Sequence, residues 1–170
     1  MRCHGQLIRR LILFLAPILL IGCEGTTWSS SVPAARVHVV IDTRKSEFVT
    51  FVPTALTDHI IVNKTGVYYN NRFLYLPDAT TTWGYGGVVV YIDMLGEYKA
   101  FDLCCPNCVS YRESCVVDGL FAICPRCGEE YDLGSGLANP QKGIAKEMMR
   151  SLPLSSINYT DNSRRITVEQ

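Results

Sequence analysis

Two Cys-Pro-x-Cys units, Cys105-Pro106-Asn107-Cys108 and Cys124-Pro125-Arg126-Cys127, restrict what this chain can fold into more than any other feature of it. In each unit two cysteines three apart, in a tight turn, aim both sulfurs at one point. Proline holds φ near about −65° and stiffens the turn before any ion arrives. Gly128, after the second unit, can take a positive φ that a side chain would resist. Fifteen residues separate the units, within the spacing of about 15–20 usual for four-cysteine zinc sites. Two such knuckles complete a tetrahedron of sulfurs. The sequence therefore predicts a metal bound by Cys105, Cys108, Cys124 and Cys127, in loops spanning residues 104–132.

Disulfides are the alternative. Six of the eight cysteines lie between residues 104 and 127 and can pair completely, and a CPxC unit can close as a redox-active loop. On the metal reading Cys104 and Cys115 are spare. Cys104 adjoins Cys105 and should face the other way on an extended strand. The spare pair either forms a disulfide, worth about 3 kcal/mol for so short a loop, or stays as two small buried thiols.

The N-terminus bears on the redox setting. Arg2, Arg9 and Arg10 precede an uncharged apolar run over residues 11–21, followed by Gly22 and Cys23. A basic region, a short apolar region and a small residue before the cut describe a secretory signal over residues 1–22. The run is shorter than the roughly 20 residues that a permanent spanning helix needs. Without residues 1–22 the chain carries 13 Lys and Arg against 16 Asp and Glu, a formal charge of −3. That mild acidity gives no signal for nucleic acid as a partner. An exported chain meets an oxidising compartment, where thiols pair or bind metal.

Residues 23–34 are small, polar and turn-prone, as in a tether. Strand signals dominate the domain expected over residues 35–170. They fall at 37–41, at 48–52, at 59–62 before the turn Asn63-Lys64-Thr65-Gly66, at 88–92, and at 98–103 after a hairpin at 95–97. The continuous, largely β-branched run 88–92 reads as a strand buried on both faces. Runs at 157–159 and 165–168 flank a turn at 161–163. Helix signals are thin: two turns at 142–150, weakened by Gly143, and one turn at 53–58. The expected class is all-β.

Three stretches carry a resemblance to the Rieske iron–sulfur domain. Ala100-Phe101-Asp102 before Cys105-Pro106 is similar to the strand entering that family's first cluster loop. The run Cys124-Pro125-Arg126-Cys127-Gly128-Glu129-Glu130-Tyr131-Asp132, then Gly134 and Gly136, resembles the second loop. Leu152-Pro153-Leu154 through Ile166-Thr167-Val168 resembles the closing strands. The resemblance implies an antiparallel β-sandwich or barrel with an inserted two-knuckle metal-binding subdomain. The family's two histidine ligands are missing: Asn107 and Cys127 stand in their places, and His38 and His59 lie outside the loops. What remains is one zinc or iron ion held by four thiolates, as in rubredoxins and zinc ribbons, or a four-cysteine 2Fe–2S cluster. The added negative charge would take such a cluster from the Rieske range of about −150 to +300 mV toward about −400 mV.

Leu20-Ile21-Gly22-Cys23 also resembles a bacterial lipobox, which implies a lipid on Cys23. Each buried acyl methylene stabilises such an anchor by about 0.8 kcal/mol. The expected setting is a bacterial cell envelope, with the chain tied to a membrane and facing the periplasm or the outside.

Other motifs point to less. Trp83-Gly84-Tyr85-Gly86-Gly87 precedes a strand and lacks a following Lys-Ser/Thr, so it reads as a bend where chains approach closely rather than a phosphate loop. Glu129 and Glu130, adjacent on a strand, should face opposite ways. Tyr68, Tyr69 and Tyr111 lack a periodic pattern and read as packing. No nucleophile has a plausible base, so catalysis by this chain alone is not expected. Three functions stay open: a binding or accessory module stapled by metal, a one-electron carrier, and a dithiol–disulfide protein. The sequence names no protein or redox partner for any of them.

Overall fold

The β-branched run predicted at residues 37–41 is the first strand, β1 (Val37–Asp42). The computed structural model describes residues 30–52, 54–143, 145–157 and 165–170. After β1 the described residues form β2 (His59–Asn63), β3 (Gly66–Tyr69), β4 (Arg72–Tyr75), β5 (Thr82–Trp83), β6 (Val88–Ile92) and β7 (Tyr98–Asp102). The short strands β8 (Val116–Asp118), β9 (Phe121–Ile123), β10 (Glu130–Asp132) and β11 (Asn139–Pro140) follow, and then β12 (Leu154–Ile157) and β13 (Arg165–Glu169). Every strand pairing is antiparallel. Two 3₁₀ segments, Ser46–Phe48 and Pro106–Tyr111, are the helical elements among the described residues. The chain is all-β, as expected.

The strands form three sheets, ordered β12-β13-β1-β5, β4-β3-β2-β6-β7 and β11-β10-β9-β8. The third falls in sequence between β7 and β12, so it is an insertion into the other two. Val37, Val39, Ile41, Ile166 and Val168 of the first sheet meet Ile60, Val62, Val88, Val90 and Ile92 of the second in one apolar core. A second core lies on the other side of the β6 sheet. There Ile61, Val89, Tyr91, Phe101 and Leu103 pack with Val117, Ala122 and Tyr131 and with four cysteines.

β6 separates the two cores. Its residues alternate between them, and all five are fully buried. That is why the strand carries no charged residue and no polar alternation: a strand shows alternation only when one of its faces meets water. The inserted sheet thus stands on the back of the main one, with the cysteines at their junction.

Two expectations give way. Residues 48–52 are not a strand. Phe48 and Phe51 are both buried, while Val49 is exposed. Bonds from Phe48 N to Lys45 O and from Phe51 N to Phe48 O wind the segment into tight turns, and a spacing of three brings both rings to one side. Nor is there a helix among the described residues of 142–150. Gly143 has φ +77°, and the chain there wraps around the Glu129 carboxylate, which accepts from Lys142 N at 2.8 Å and Ala145 N at 3.1 Å.

Residues 1–22, Cys23 and the turn at 161–163 lie outside the described residues. The last part of the predicted tether belongs to the domain. Val32 is buried, Arg150 Nη1 donates to Val32 O at 3.1 Å, and Ser31 Oγ donates to Pro106 O at 3.1 Å.

Candidate metal centre

The two knuckles are built differently. The second is a hairpin tip between β9 and β10. Cys124 N donates to Glu129 O and Gly128 N to Cys124 O, each at 2.9 Å. Gly128 takes φ +73° with open space around it, so glycine is needed there for the turn and not for room. The first knuckle leaves an extended pairing of residues 103–105 with 113–115. Cys105 N donates to Glu113 O at 2.9 Å and Cys115 N to Leu103 O at 2.8 Å. Pro106 then starts the 3₁₀ segment, and Cys108 N closes onto Cys105 O at 3.0 Å.

These turns bring the four predicted ligands together. The sulfurs of Cys105, Cys108, Cys124 and Cys127 all lie within 4.8 Å of one another. Cys105 Sγ and Cys127 Sγ, one from each knuckle, are 3.8 Å apart. Cys105, Cys108 and Cys124 are buried and Cys127 is exposed, so the group opens to solvent on one side. Across that rim the Arg126 guanidinium lies 3.5 Å over the Tyr111 ring. Tyr111 ends the first knuckle and Arg126 is the variable residue of the second, so this stacking ties the loops together. Such a contact contributes about 0.5–1 kcal/mol at an exposed site.

The sulfurs are electrostatically unequal. Donors converging on Cys105 hold its thiol well below the ordinary range, with Cys115 the largest influence and the Tyr131 hydroxyl among the others. Tyr131 Oη stands 3.4 Å from Cys105 Sγ. Burial pushes the Cys108 thiol up and pushes Cys124 up to about 11, against the backbone N–H groups of Cys127 and Arg126 that favour its thiolate. The donors around Cys105 thus favour the anionic form of one sulfur in the group, which suits a cationic ligand.

All six described cysteines are free thiols. Cys104 and Cys115, the pair offered for a disulfide, are turned apart by the register. Cys104 stands opposite Ser114, so Cys115 shares a face with Leu103 and Cys105 while Cys104 points to the other side. Cys104 is buried against Gly86, and burial pushes its thiol up to about 12. Cys115 packs with Cys105, Cys108 and Cys124 in the second core. The sequence did not show this fifth sulfur facing the group, because the register of a two-residue bridge leaves no mark in the residue pattern.

Carboxylates brace the site from behind. Asp102 accepts from Tyr85 N at 2.7 Å, Gly86 N at 2.8 Å and Cys104 N at 2.9 Å, pinning the glycine-rich bend to the first knuckle. Burial raises its pKa, and those three bonds oppose the rise. Glu129, also buried, does the same for residues 142–145 behind the second knuckle. Its neighbour Glu130 faces outward to Lys142 Nζ at 2.6 Å, so the two carboxylates do face opposite ways. His59 is buried and stacked on Tyr91 at 6.4 Å, and His38 lies 3.7 Å from Glu169. Neither belongs to the sulfur group.

No family model matches the chain, and no curated protein matches it. A solved structure, a ferredoxin of Sphingomonas yanoikuyae B1, is similar to it at 14% identity and a TM-score of 0.37, over 81% of this chain and 99% of that one.

Proposed function

We propose that Cys105, Cys108, Cys124 and Cys127 hold one zinc or iron ion in a Rieske-like domain, and that the ion staples the two knuckles of a binding or accessory module. The observation that supports this is the spacing of the sulfurs. Four thiolates at about 2.3 Å from one ion stand about 3.8 Å apart at tetrahedral angles. The Cys105–Cys127 separation is 3.8 Å, and no pair in the group exceeds 4.8 Å. A 2Fe–2S cluster puts its two thiolate pairs on different irons, which holds the pairs farther apart than thiolates that share an ion.

Export and lipidation of Cys23 complete the proposal, on the strength of residues 1–23. Eight peptide steps separate Cys23 from Ser31, at most about 29 Å of extended chain. Ser31 touches the first knuckle, so a lipid on Cys23 would keep the metal centre near the membrane surface.

A second reading is a one-electron carrier with iron on the same ligands. Its support is Cys127, whose exposure gives an electron a short route between the ion and a partner.

Elemental and sulfide analysis of anaerobically purified protein tests both. The expected result is one ion per chain and no inorganic sulfide. Colourless protein containing zinc favours the structural reading, and red to brown protein containing one iron favours the carrier. Two irons with sulfide, or Cys105–Cys108 and Cys124–Cys127 disulfides in non-reducing mass spectrometry, would overturn the single-ion centre.

A further inference from the structure

A second candidate site lies beside the Cys104–Ser114 bridge and includes none of the four clustered cysteines. A cleft of about 280 Å³ runs between the β2–β3 turn and the bend 84–87, with Lys64, Trp83, Tyr85, Arg112 and Ser114 among its lining residues. Its only formal charges are positive. Lys64 and Arg112 have no carboxylate partner within 4 Å among the described residues. Asp102 lies behind the floor, but its oxygens are turned to the backbone N–H groups of Tyr85, Gly86 and Cys104.

Arg112 is held in place from two sides. Its backbone is left-handed, at φ +52° and ψ 39°, and its N–H closes onto Val109 O. Its guanidinium lies 4.5 Å from the centre of the Tyr85 ring. Few non-glycine residues adopt this conformation, and the cap bond and the ring contact hold it here. A guanidinium held over a ring face still has N–H groups to offer an oxyanion. Ser114 Oγ donates to Gly86 O at 2.7 Å, which fixes the opposite wall. The glycines let the bend that floors the cleft lie close on the chain beneath it: a Cβ on Gly84 would meet Asp102 Oδ2 at 2.6 Å, and one on Gly86 would meet Cys104 Cα at 2.6 Å.

We infer that this cleft binds a soluble phosphate monoester with a flat apolar body. The phosphate carries about −1.5 to −2 charges at neutral pH, which matches two cations better than a carboxylate does. Trp83 and Tyr85 line the cleft and are half-buried, and their accessible edges would flank the body.

The test is calorimetric titration of the purified, metal-loaded protein with phenyl phosphate, inorganic phosphate and benzoate. The expected result is one saturable site per chain for phenyl phosphate, with inorganic phosphate and benzoate weaker. Lys64→Gln and Arg112→Asn should each weaken phenyl phosphate about tenfold, the loss of one charged hydrogen-bonding partner. Asparagine tolerates the left-handed backbone at 112; unchanged metal content and near-ultraviolet dichroism confirm the fold. If Arg112→Asn disturbs the fold, Lys64→Gln alone decides. Absence of saturable binding at millimolar ligand, or equal binding by the variants, overturns the site. So does binding to phosphatidic acid vesicles that phenyl phosphate does not displace, since the phosphate would then be a lipid headgroup's.

Discussion

Cys105 Sγ and Cys127 Sγ lie 3.8 Å apart although 22 positions separate them in sequence. Nothing covalent joins them. The bridge of Cys104 to Ser114, the β9–β10 hairpin and the packing of Tyr131 beneath both loops bring them together. Tyr131 reaches Cys105 directly, so the buried framework and the sulfur group are one unit.

The exposed and buried ligands should therefore respond differently to removal. Cys127→Ser deletes an exposed sulfur and should abolish tight metal binding while leaving the metal-free fold nearly intact. Cys105→Ser loses the metal too, and it places a hydroxyl in a fully buried site, at about 1–3 kcal/mol if that group is left unsatisfied. Denaturation with and without chelator reads both. A structural zinc contributes on the order of 10 kcal/mol, so chelator should lower the wild-type midpoint sharply and leave Cys127→Ser unmoved. A chelator effect as large in Cys127→Ser as in wild type would remove Cys127 from the ligand set.

Tyr131→Phe keeps the buried ring and removes the hydroxyl 3.4 Å from Cys105 Sγ. A hydrogen bond of this kind contributes about 0.5–1.5 kcal/mol. The variant should fold and bind one ion with a measurably weaker hold in competition against a chromogenic chelator. Unchanged affinity would mean that the hydroxyl does not support the metal-bound sulfur.

Much of this was legible in the residues, because local chemistry set it. Val88–Ile92 has no charged residue and no polar alternation, and it divides two cores. The CPxC turns aim their sulfurs as proline and glycine dictate, and the glycines at 84–87 do mark a close approach of chains. The misreadings arose where a distant partner decides. Residues 48–52 read as a strand, yet the core takes Phe48 and Phe51 at a spacing of three, which tight turns allow and a strand does not. Residues 142–150 look helical until Glu129 claims the N–H groups of Lys142 and Ala145. Glu129 itself was visible only as half of an unused acid pair. The faces of Cys104 and Cys115 depend on one register of a short bridge.

Gly86 tests how closely the bend must approach the first knuckle. A Cβ there would stand 2.6 Å from Cys104 Cα and 2.7 Å from Cys104 Cβ. Gly86→Ala must push aside the strand that leads into Cys105, and overpacking of this kind costs about 1–3 kcal/mol. Gly119 is the comparison, with φ +54° and nothing within 4 Å. Gly119→Ala should cost about 1–2 kcal/mol, the left-handed penalty alone. The distinguishing measurement is metal affinity, which should fall in Gly86→Ala and hold in Gly119→Ala. Equal affinity in the two would separate the bend from the metal centre.

Acid should release the ion, with a slope that the sulfurs set. Metal binds thiolates, so each ligand that is a thiol in the metal-free protein gives up its proton on binding. Burial raises Cys108 and raises Cys124 to about 11, so both carry protons at neutral pH. Cys105 is held below the ordinary range, so it is already a thiolate and releases nothing there. The sign follows: metal-bound stability grows as pH rises, because the metal-free state holds the extra protons. With at least two protons released, affinity should rise by about a hundredfold or more per pH unit through neutrality. Competition with a chelator of known pH dependence, measured on either side of neutral, reads this slope directly. A slope near zero would mean that Cys108 and Cys124 are not both ligands.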